Sequence, residues 1–249
     1  MGDENRAGSR LADRLGSLID LAPVERAALE SLEHRERAVK RGVVLLRERD
    51  VQSDLYVVRD GMMMSYVLLQ DGSRQILRFL FPGDMISMSA LVYRRATESV
   101  SALADSVVSP VERSAIAALL SDHPRLAGLL IASNKIERVA LTDRLAALGR
   151  SSAKARIAGL LLELRNRVRE TDKAIGATFR LGLTQEEIGD ATGLTAVHVN
   201  RMMRQLVEDG LIGRGNGTVT LYDEELMARV ANHIDRYQNI DLGWLPAPR

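Results

Sequence analysis

His198, Asn200, Arg201 and Arg204 carry side chains that can hydrogen-bond base edges or phosphate oxygens. On a helix they share one side, because Val199, Met202, Met203 and Leu206 recur at three- and four-residue intervals and claim the other. Such chemistry needs no nucleophile or metal. It needs a rigid helix held against a duplex groove. The preceding residues read as the device that holds it. Thr184 and Glu187 have capping-box spacing and open a first helix. Ile188 and Ala191 form its inward side, and Gly193 stands where a sharp turn requires positive φ or close backbone approach. Thr195 can cap the second helix. The segment from Leu183 to Ile212 is therefore expected to be a helix-turn-helix with double-stranded DNA as its partner.

Gly213-Arg214-Gly215-Asn216-Gly217, followed by the alternating Thr218-Val219-Thr220-Leu221, reads as a hairpin turn between short strands. That makes the element a winged helix-turn-helix. The sequence LTQEEIGDATGLTAVHVNRMMRQL, followed by EDGLI, resembles the DNA-binding segment of the CRP/FNR transcription regulators. The resemblance implies that Arg201 reads guanine through O6 and N7, while Asn200 reads adenine or touches phosphate. Ala196 and Val197 stand where relatives often carry charged readers. Val197 can only contact a thymine methyl, so the half-site should differ from those of the best-known relatives. Thr184, Gln185 and Thr195 are expected to position phosphates. His198 is assigned phosphate contact and a structural role with equal weight.

A chain of 249 residues accommodates two ordinary domains. Its 46% hydrophobic and 27% charged residues fit a globular protein. No apolar run is long enough to span a membrane, and the start MGDENRAGSR lacks a secretory core, so a cytoplasmic location is expected. The absence of cysteine excludes disulfides and a cysteine-ligated iron–sulfur cluster. A net charge of +1 is small for a DNA binder, but its distribution is uneven. Arg150, Lys154, Arg156, Arg165, Arg167 and Arg169 face only Glu163 in a helix-like segment with the apolar stripe Ile157, Leu160, Leu161 and Leu164. Some of these cations are candidates for phosphate contact. The sequence lacks a nucleophile elbow, a phosphate-binding GxxxxGK loop and an HExxH pair, so no catalytic residues are assigned and the chain is not read as an enzyme.

Upstream the pattern alternates. Val43–Leu46, Asp54–Val58 and Met62–Val67 are strand candidates, separated by turns at Asp60-Gly61, Asp71-Gly72 and Pro82-Gly83-Asp84. Close spacing of strands and glycine turns suggests a small β-barrel or jelly roll. The order LYVVRDGMM, then QDGSRQILRFLFPGDMIS, resembles the cyclic-nucleotide-binding type of sensor barrel in the same family. A long helical stretch follows, from about Ala115 to Leu148, with Leu126, Leu129, Leu130, Ser133, Ile136, Val139, Ala140 and Leu145 as its stripe. The resemblance implies that the stripe pairs with the same helix of a second copy. A homodimer then presents two recognition helices to successive major grooves.

The resemblance also implies a ligand pocket around Met88, Ser89, Glu98 and Ser99. Met88 stands where a ribose-binding glutamate would be, and Glu98 where a phosphate-binding arginine would be, although Ser99 is kept. A carboxylate there repels a phosphodiester. Arg94 and Arg95 lie nearby but off position. Cyclic AMP is not expected as the effector, and no cofactor is predicted. The four histidines, His34, His123, His198 and His233, are too scattered for a metal cage in the barrel, though a single-histidine haem site stays open.

The expected architecture is α+β: an N-terminal tail and helix (1–30), a sensor-type β-barrel (31–115), a dimerisation helix (116–149), a winged helix-turn-helix (150–222) and a C-terminal helix and tail (223–249). The first ten residues read as disordered, and the last helix as ending near Tyr237. The expected function is sequence-specific transcription regulation by a homodimer on a near-palindromic site, with an activator's contact to RNA polymerase and possible control by an unidentified ligand. The alternative reading is a ligand sensor whose output is a protein partner.

Overall fold

The computed structural model describes residues 8–234, 236 and 240–247. Helices α1 (Arg10–Gly16) and α2 (Pro23–Leu32) lead into strands β1 (Arg37–Val39), β2 (Val44–Leu46), β3 (Asp54–Asp60), β4 (Met63–Leu68), β5 (Arg74–Leu80) and β6 (Met85–Ile86). A 3₁₀ turn at Met88–Leu91 precedes β7 (Ser99–Ala102) and β8 (Ser106–Glu112). Next come α3 (Arg113–Asp122), α4 (Pro124–Arg150), α5 (Ala153–Thr171), β9 (Thr178–Arg180), α6 (Gln185–Thr192) and α7 (Ala196–Glu208). Strands β10 (Ile212–Gly215) and β11 (Thr218–Leu221) and helix α8 (Glu224–Ala231) complete the order. The described residues form two compact units. One takes those within Met1–Ser65, Leu80–Arg138 and Asp241–Arg249, and the other Tyr66–Phe79 and Val139–Ile240.

The strands of the jelly roll form two four-stranded sheets, β1-β8-β3-β6 and β2-β7-β4-β5. The unbroken apolar run on β3 is explained by burial on both of its faces. Leu55 and Val57 join Leu11, Leu15, Leu29, Ile116 and Leu126 in a sheet-to-helix core. Val58, with Tyr56 beside it, joins Val39, Met63, Ile86, Val100 and Val108 in a second core. Successive side chains of a strand point to opposite faces, so alternate residues feed different cores. At the Pro82-Gly83-Asp84 turn Gly83 has φ of 91°. A Cβ there would lie 2.6 Å from Arg14 Cβ and 2.7 Å from Arg10 O, so only glycine lets α1 approach this closely.

Buried polar groups fix the helical layer. Glu33, at 4% exposure, accepts the Ser9 hydroxyl and the N–H groups of Arg10 and Leu11, at 3.2 and 2.9 Å, and pairs with Arg59 at 3.3 Å. One carboxylate thus satisfies two orphan amides at the start of α1. Arg125 of α4 pairs with the buried Glu25 of α2 at 2.6 Å and donates to Asp20 O at 3.0 Å.

Several expectations change. The long helix is two, bent by 119° at the break between α3 and α4. The break has a local cause: Pro124 disfavours helical geometry at the residue before it, and His123 sits at φ −128°, ψ 75°. His123 N–H closes α3 on Leu119 O, and its carbonyl opens α4 by accepting Ala127 N–H, each at 3.0 Å. The α4 stripe is also divided. Leu126, Leu129 and Leu130 are buried, whereas Val139, Ala140 and Leu145 are exposed. The wing turn is tighter than expected, because Gly213, Arg214 and Gly215 lie in β10. Asn216 and Gly217 alone turn the chain, both with positive φ as a two-residue hairpin requires. Strand β9 pairs with β11 and was absent from the sequence reading.

At the C-terminus, α8 stops at Ala231 with Asn232 left-handed, earlier than Tyr237. The tail read as loose is in part packed, since Leu242 and Leu245 lie against the sheet-to-helix core. Arg236 makes paired bonds of 2.7 and 2.8 Å to Asp143, and this hydrogen bonding holds the Asp143 carboxyl below the usual aspartate range. Most of the first ten residues fall outside those described, but Ser9 already caps α1. No single helix among the described residues is long and apolar enough to cross a membrane.

Replacing Glu33 by Ala leaves the first amides of α1 and part of Arg59's donor set without an acceptor. The expected loss is on the order of 3 kcal/mol, read as a lower urea midpoint at unchanged slope.

Candidate nucleic-acid interface

The helix-turn-helix is built from short-range rules. Thr184 Oγ1 accepts Glu187 N–H at 3.1 Å, and Glu187 Oε2 accepts Thr184 N–H at 2.7 Å, closing the capping box at the start of α6. Ile188 and Ala191 are buried. Gly193 ends α6 at φ 64°, and Gly189 O accepts the N–H groups of Gly193 and Leu194. Gly189, which the sequence reading passed over, is the tighter constraint. A Cβ on it would lie 2.4 Å from Leu194 O, inside any real contact. Thr195 then caps α7 by accepting His198 N–H at 3.3 Å.

Helix α7 buries Val199, Met202, Met203 and Leu206. Its other side exposes Val197, His198, Asn200, Arg201 and Arg204, with Ala196 half-exposed. Val197 is 79% exposed, an apolar side chain held out at the first turn. Among the described residues no ion pair engages Arg201 or Arg204. The helix N-terminus adds free amides and the positive end of the helix dipole, which suit phosphate. Arg180 on β9 and Arg214 on the wing are exposed as well. Gln185 is half-buried at the opening of α6, with its side-chain carbonyl buried and unbonded. His198 Nδ1 lies 3.3 Å from Thr195 Oγ1, so part of its hydrogen-bonding capacity serves the cap.

The basic α5 segment is more structural than its composition suggested. Arg165 is 3% exposed and pairs with Glu224 of α8. Lys154 pairs with Asp209, Arg167 with Glu170 at 2.9 Å, and Arg156 donates to Thr192 O at 2.7 Å. Arg150 and Arg169 remain exposed. Charged residues facing a neighbouring helix look the same in sequence as charged residues facing solvent.

The four pocket candidates of the jelly roll are not held by one network. Met88 packs against the sheet-to-helix core beside α1 and α4. Ser89 Oγ accepts from Thr97 at 3.2 Å, while the buried Ser99 Oγ accepts Glu48 N–H at 2.9 Å. Glu98 is half-buried next to Ser99. The Arg95 guanidinium is turned to Arg49 O at 2.9 Å. A cyclic phosphodiester would meet the Glu98 carboxylate here, so these residues do not fit one, although the Ser99 hydroxyl keeps its own proton to donate. Among the described residues no cluster of histidine, cysteine or carboxylate has the makings of a metal site.

Comparison with known proteins gives the same two parts. Residues 155–230 match the Crp-like helix-turn-helix domain, and residues 36–123 match the cyclic nucleotide-binding domain. The nitrogen fixation regulation protein FixK of Bradyrhizobium diazoefficiens is 30% identical over 202 residues, covering 80% of this chain and 84% of that protein. The fumarate and nitrate reduction regulatory protein of Escherichia coli is 23% identical over 205 residues, 82% of each. Among solved structures, FixK2 of Bradyrhizobium japonicum superposes with a TM-score of 0.72 at 28% identity, covering 79% of this chain and 96% of that one. The c-di-GMP-responsive regulator CLP of Xanthomonas campestris shares the fold, with a TM-score of 0.66 at 17% identity over 81% and 100% of the two chains.

Two glycine substitutions separate steric from conformational demands. Gly189→Ala forces the turn backbone apart, with an expected cost of about 2–3 kcal/mol. Gly193→Ala has space but must hold a left-handed φ, at about 1 kcal/mol. Thermal unfolding of the full chain should rank them in that order.

Proposed function

This chain belongs to the CRP/FNR family of transcription regulators, and we propose that it acts as a homodimer that binds a near-palindromic DNA site through α7. The observation that carries the reading is the division of α7 into a fully buried apolar stripe and an outer side bearing Asn200, Arg201 and Arg204. Arg201 is assigned the bidentate contact to guanine O6 and N7, and Asn200 a neighbouring base or phosphate. Val197 is positioned to meet a thymine methyl. Thr184, Gln185, Thr195 and His198 are assigned to the backbone, setting register without reading sequence.

Dimerisation is argued from α4. Ile131, Asn134, Arg138, Leu141 and Leu145 follow one another at alternating intervals of three and four, and all are exposed. That spacing is the one a two-stranded coiled-coil seam uses, and it supports pairing with a second copy. Leu145 at 71% and Ile131 at 57% exposure are apolar groups that a second copy of the helix would cover. Two-fold symmetry then sets the recognition helices one DNA turn apart. Cyclic AMP is not the proposed effector, since Glu98 and Met88 stand where phosphate- and ribose-binding groups would be needed. The regulator is proposed to work in the cytoplasm and to contact RNA polymerase when it activates.

Selection of bound duplexes from a random pool should enrich a near-palindrome with half-sites about 10 base pairs apart, centre to centre. Recovery of unrelated sequences would sink the reading. On the selected site, Arg201→Ala should cost about 1–3 kcal/mol and relax preference at one base pair of each half-site. Leu145→Asp should raise the monomer fraction in sedimentation and weaken the full site far more than a single half-site.

A further inference from the structure

The last turn of a helix leaves four carbonyls without intrahelical partners, and their destinations can be accounted for individually. In α6 these are the carbonyls of Gly189, Asp190, Ala191 and Thr192. Gly189 O is taken by the turn amides of Gly193 and Leu194. The other three go to side chains from three different elements. Asp190 O accepts Gln75 Nε2 at 2.7 Å, from β5. Ala191 O accepts from Arg144 of α4 at 3.3 Å, and Thr192 O from Arg156 of α5 at 2.7 Å. The Asp190 carboxylate adds a 2.7 Å bond from Arg74 Nε. Two of the three carbonyl donors, Arg144 and Arg156, are cations at the negative end of the helix dipole, where positive charge is favoured.

The hairpin side of this arrangement is equally ordered. Arg74 lies over the Tyr66 ring at 5.5 Å. Arg144 donates to Leu77 O at 3.1 Å and lies over the Phe79 ring at 5.6 Å, so one guanidinium holds both the hairpin and α6. The residues Tyr66–Phe79 belong to the same compact unit as α6 and α7. Their strands β4 and β5 are also members of the sheet β2-β7-β4-β5.

We propose that Arg74 and Gln75 are positioning residues for DNA recognition: they clamp the C-terminal turn of α6 and so fix the orientation of α7, making the β4–β5 hairpin a mechanical input to the helix-turn-helix. The inference rests on α7 being the DNA-reading helix. Neither residue touches DNA in this scheme. Each acts through Asp190, by bonds under 3 Å long.

A charge swap in the full chain tests the clamp. Arg74→Asp and Asp190→Arg, singly, should each weaken binding to the selected duplex about tenfold, while binding to an unrelated duplex of equal length stays within about twofold. The double swap should recover to within about threefold of the original affinity. Gln75→Ala is the mild variant and should lose about threefold with no change in thermal midpoint beyond a few degrees. Hydrogen exchange provides a readout without DNA: the amides of residues 188–194 should exchange about tenfold faster in each single swap and regain protection in the double. If those amides keep their protection in the single swaps, the clamp is overturned whatever DNA does. If they lose it while specific binding is unchanged, the positioning role is overturned although the contact is real. Should no sequence be enriched from the random pool, the DNA reading fails first, and the exchange data still decide the contact.

Discussion

The proposed DNA-facing surface depends on how closely two backbone segments approach at Gly189. The chain leaves α6, turns through Gly193 and passes so near the earlier turn that Leu194 O occupies the space of a Cβ on residue 189. That approach lets Thr195 begin a new helix at once, and the cap it supplies fixes where α7 starts. Once the start is set, the helical period decides the rest. Val199, Met202, Met203 and Leu206 must point inward, and Asn200, Arg201 and Arg204 must point out. A register change of one residue would rotate the outer set by about 100°, so the presentation of Arg201 is as fixed as the turn.

The turn in turn needs α6 to stay put, and a helix of eight residues has little cooperative strength of its own. Its stability comes from its ends and from packing. The capping box closes the N-terminus locally, whereas the C-terminus is closed by side chains from β5, α4 and α5. Under the proposed clamp, this contrast matters for how α7 is positioned. A local cap responds to nothing beyond its own sequence, but a cap built from three distant elements records where each of them is. In the jelly roll, β3 shows the same economy of position: alternate residues serve two cores, so its place is fixed from both faces.

Features set by neighbours in the chain were legible in the sequence. The Thr184–Glu187 spacing, the glycine at 193, the α7 stripe and the glycine turns of the barrel all follow from local geometry, and the structure has them as read. Features set by partners far along the chain were not. Gly189 reads as a weak helix residue until the returning Leu194 is in place. Arg156 and Arg165 read as candidates for phosphate contact, although each is directed at a carbonyl or carboxylate more than thirty residues away, and Arg144, which reaches a carbonyl 47 residues away, carries no local signal of its role. The split of the α4 stripe depends on where the core ends, which periodicity does not encode. The His123-Pro124 break was different: its signal was present, since proline restricts the residue before it, but the apolar period running across it hid the interruption.

The small net charge can be understood from the same distribution. Arginines engaged by carboxylates or helix-end carbonyls of their own fold cannot release counterions from DNA, and Arg59, Arg125, Arg144, Arg156 and Arg165 are all committed in this way. The cations left facing outward around α7 are few, chiefly Arg201 and Arg204, with Arg214 on the wing and Arg180 beside it. Sequence-independent attraction grows with the number of phosphates neutralised, so a small set of cations keeps it modest. Contacts to base edges are unaffected by that economy, and two-fold symmetry would double them. In the proposed complex, the ratio of specific to non-specific affinity therefore gains from the arginines turned inward. The same inward turn that steadies α6 removes charge from the surface where it would hold the protein on any duplex.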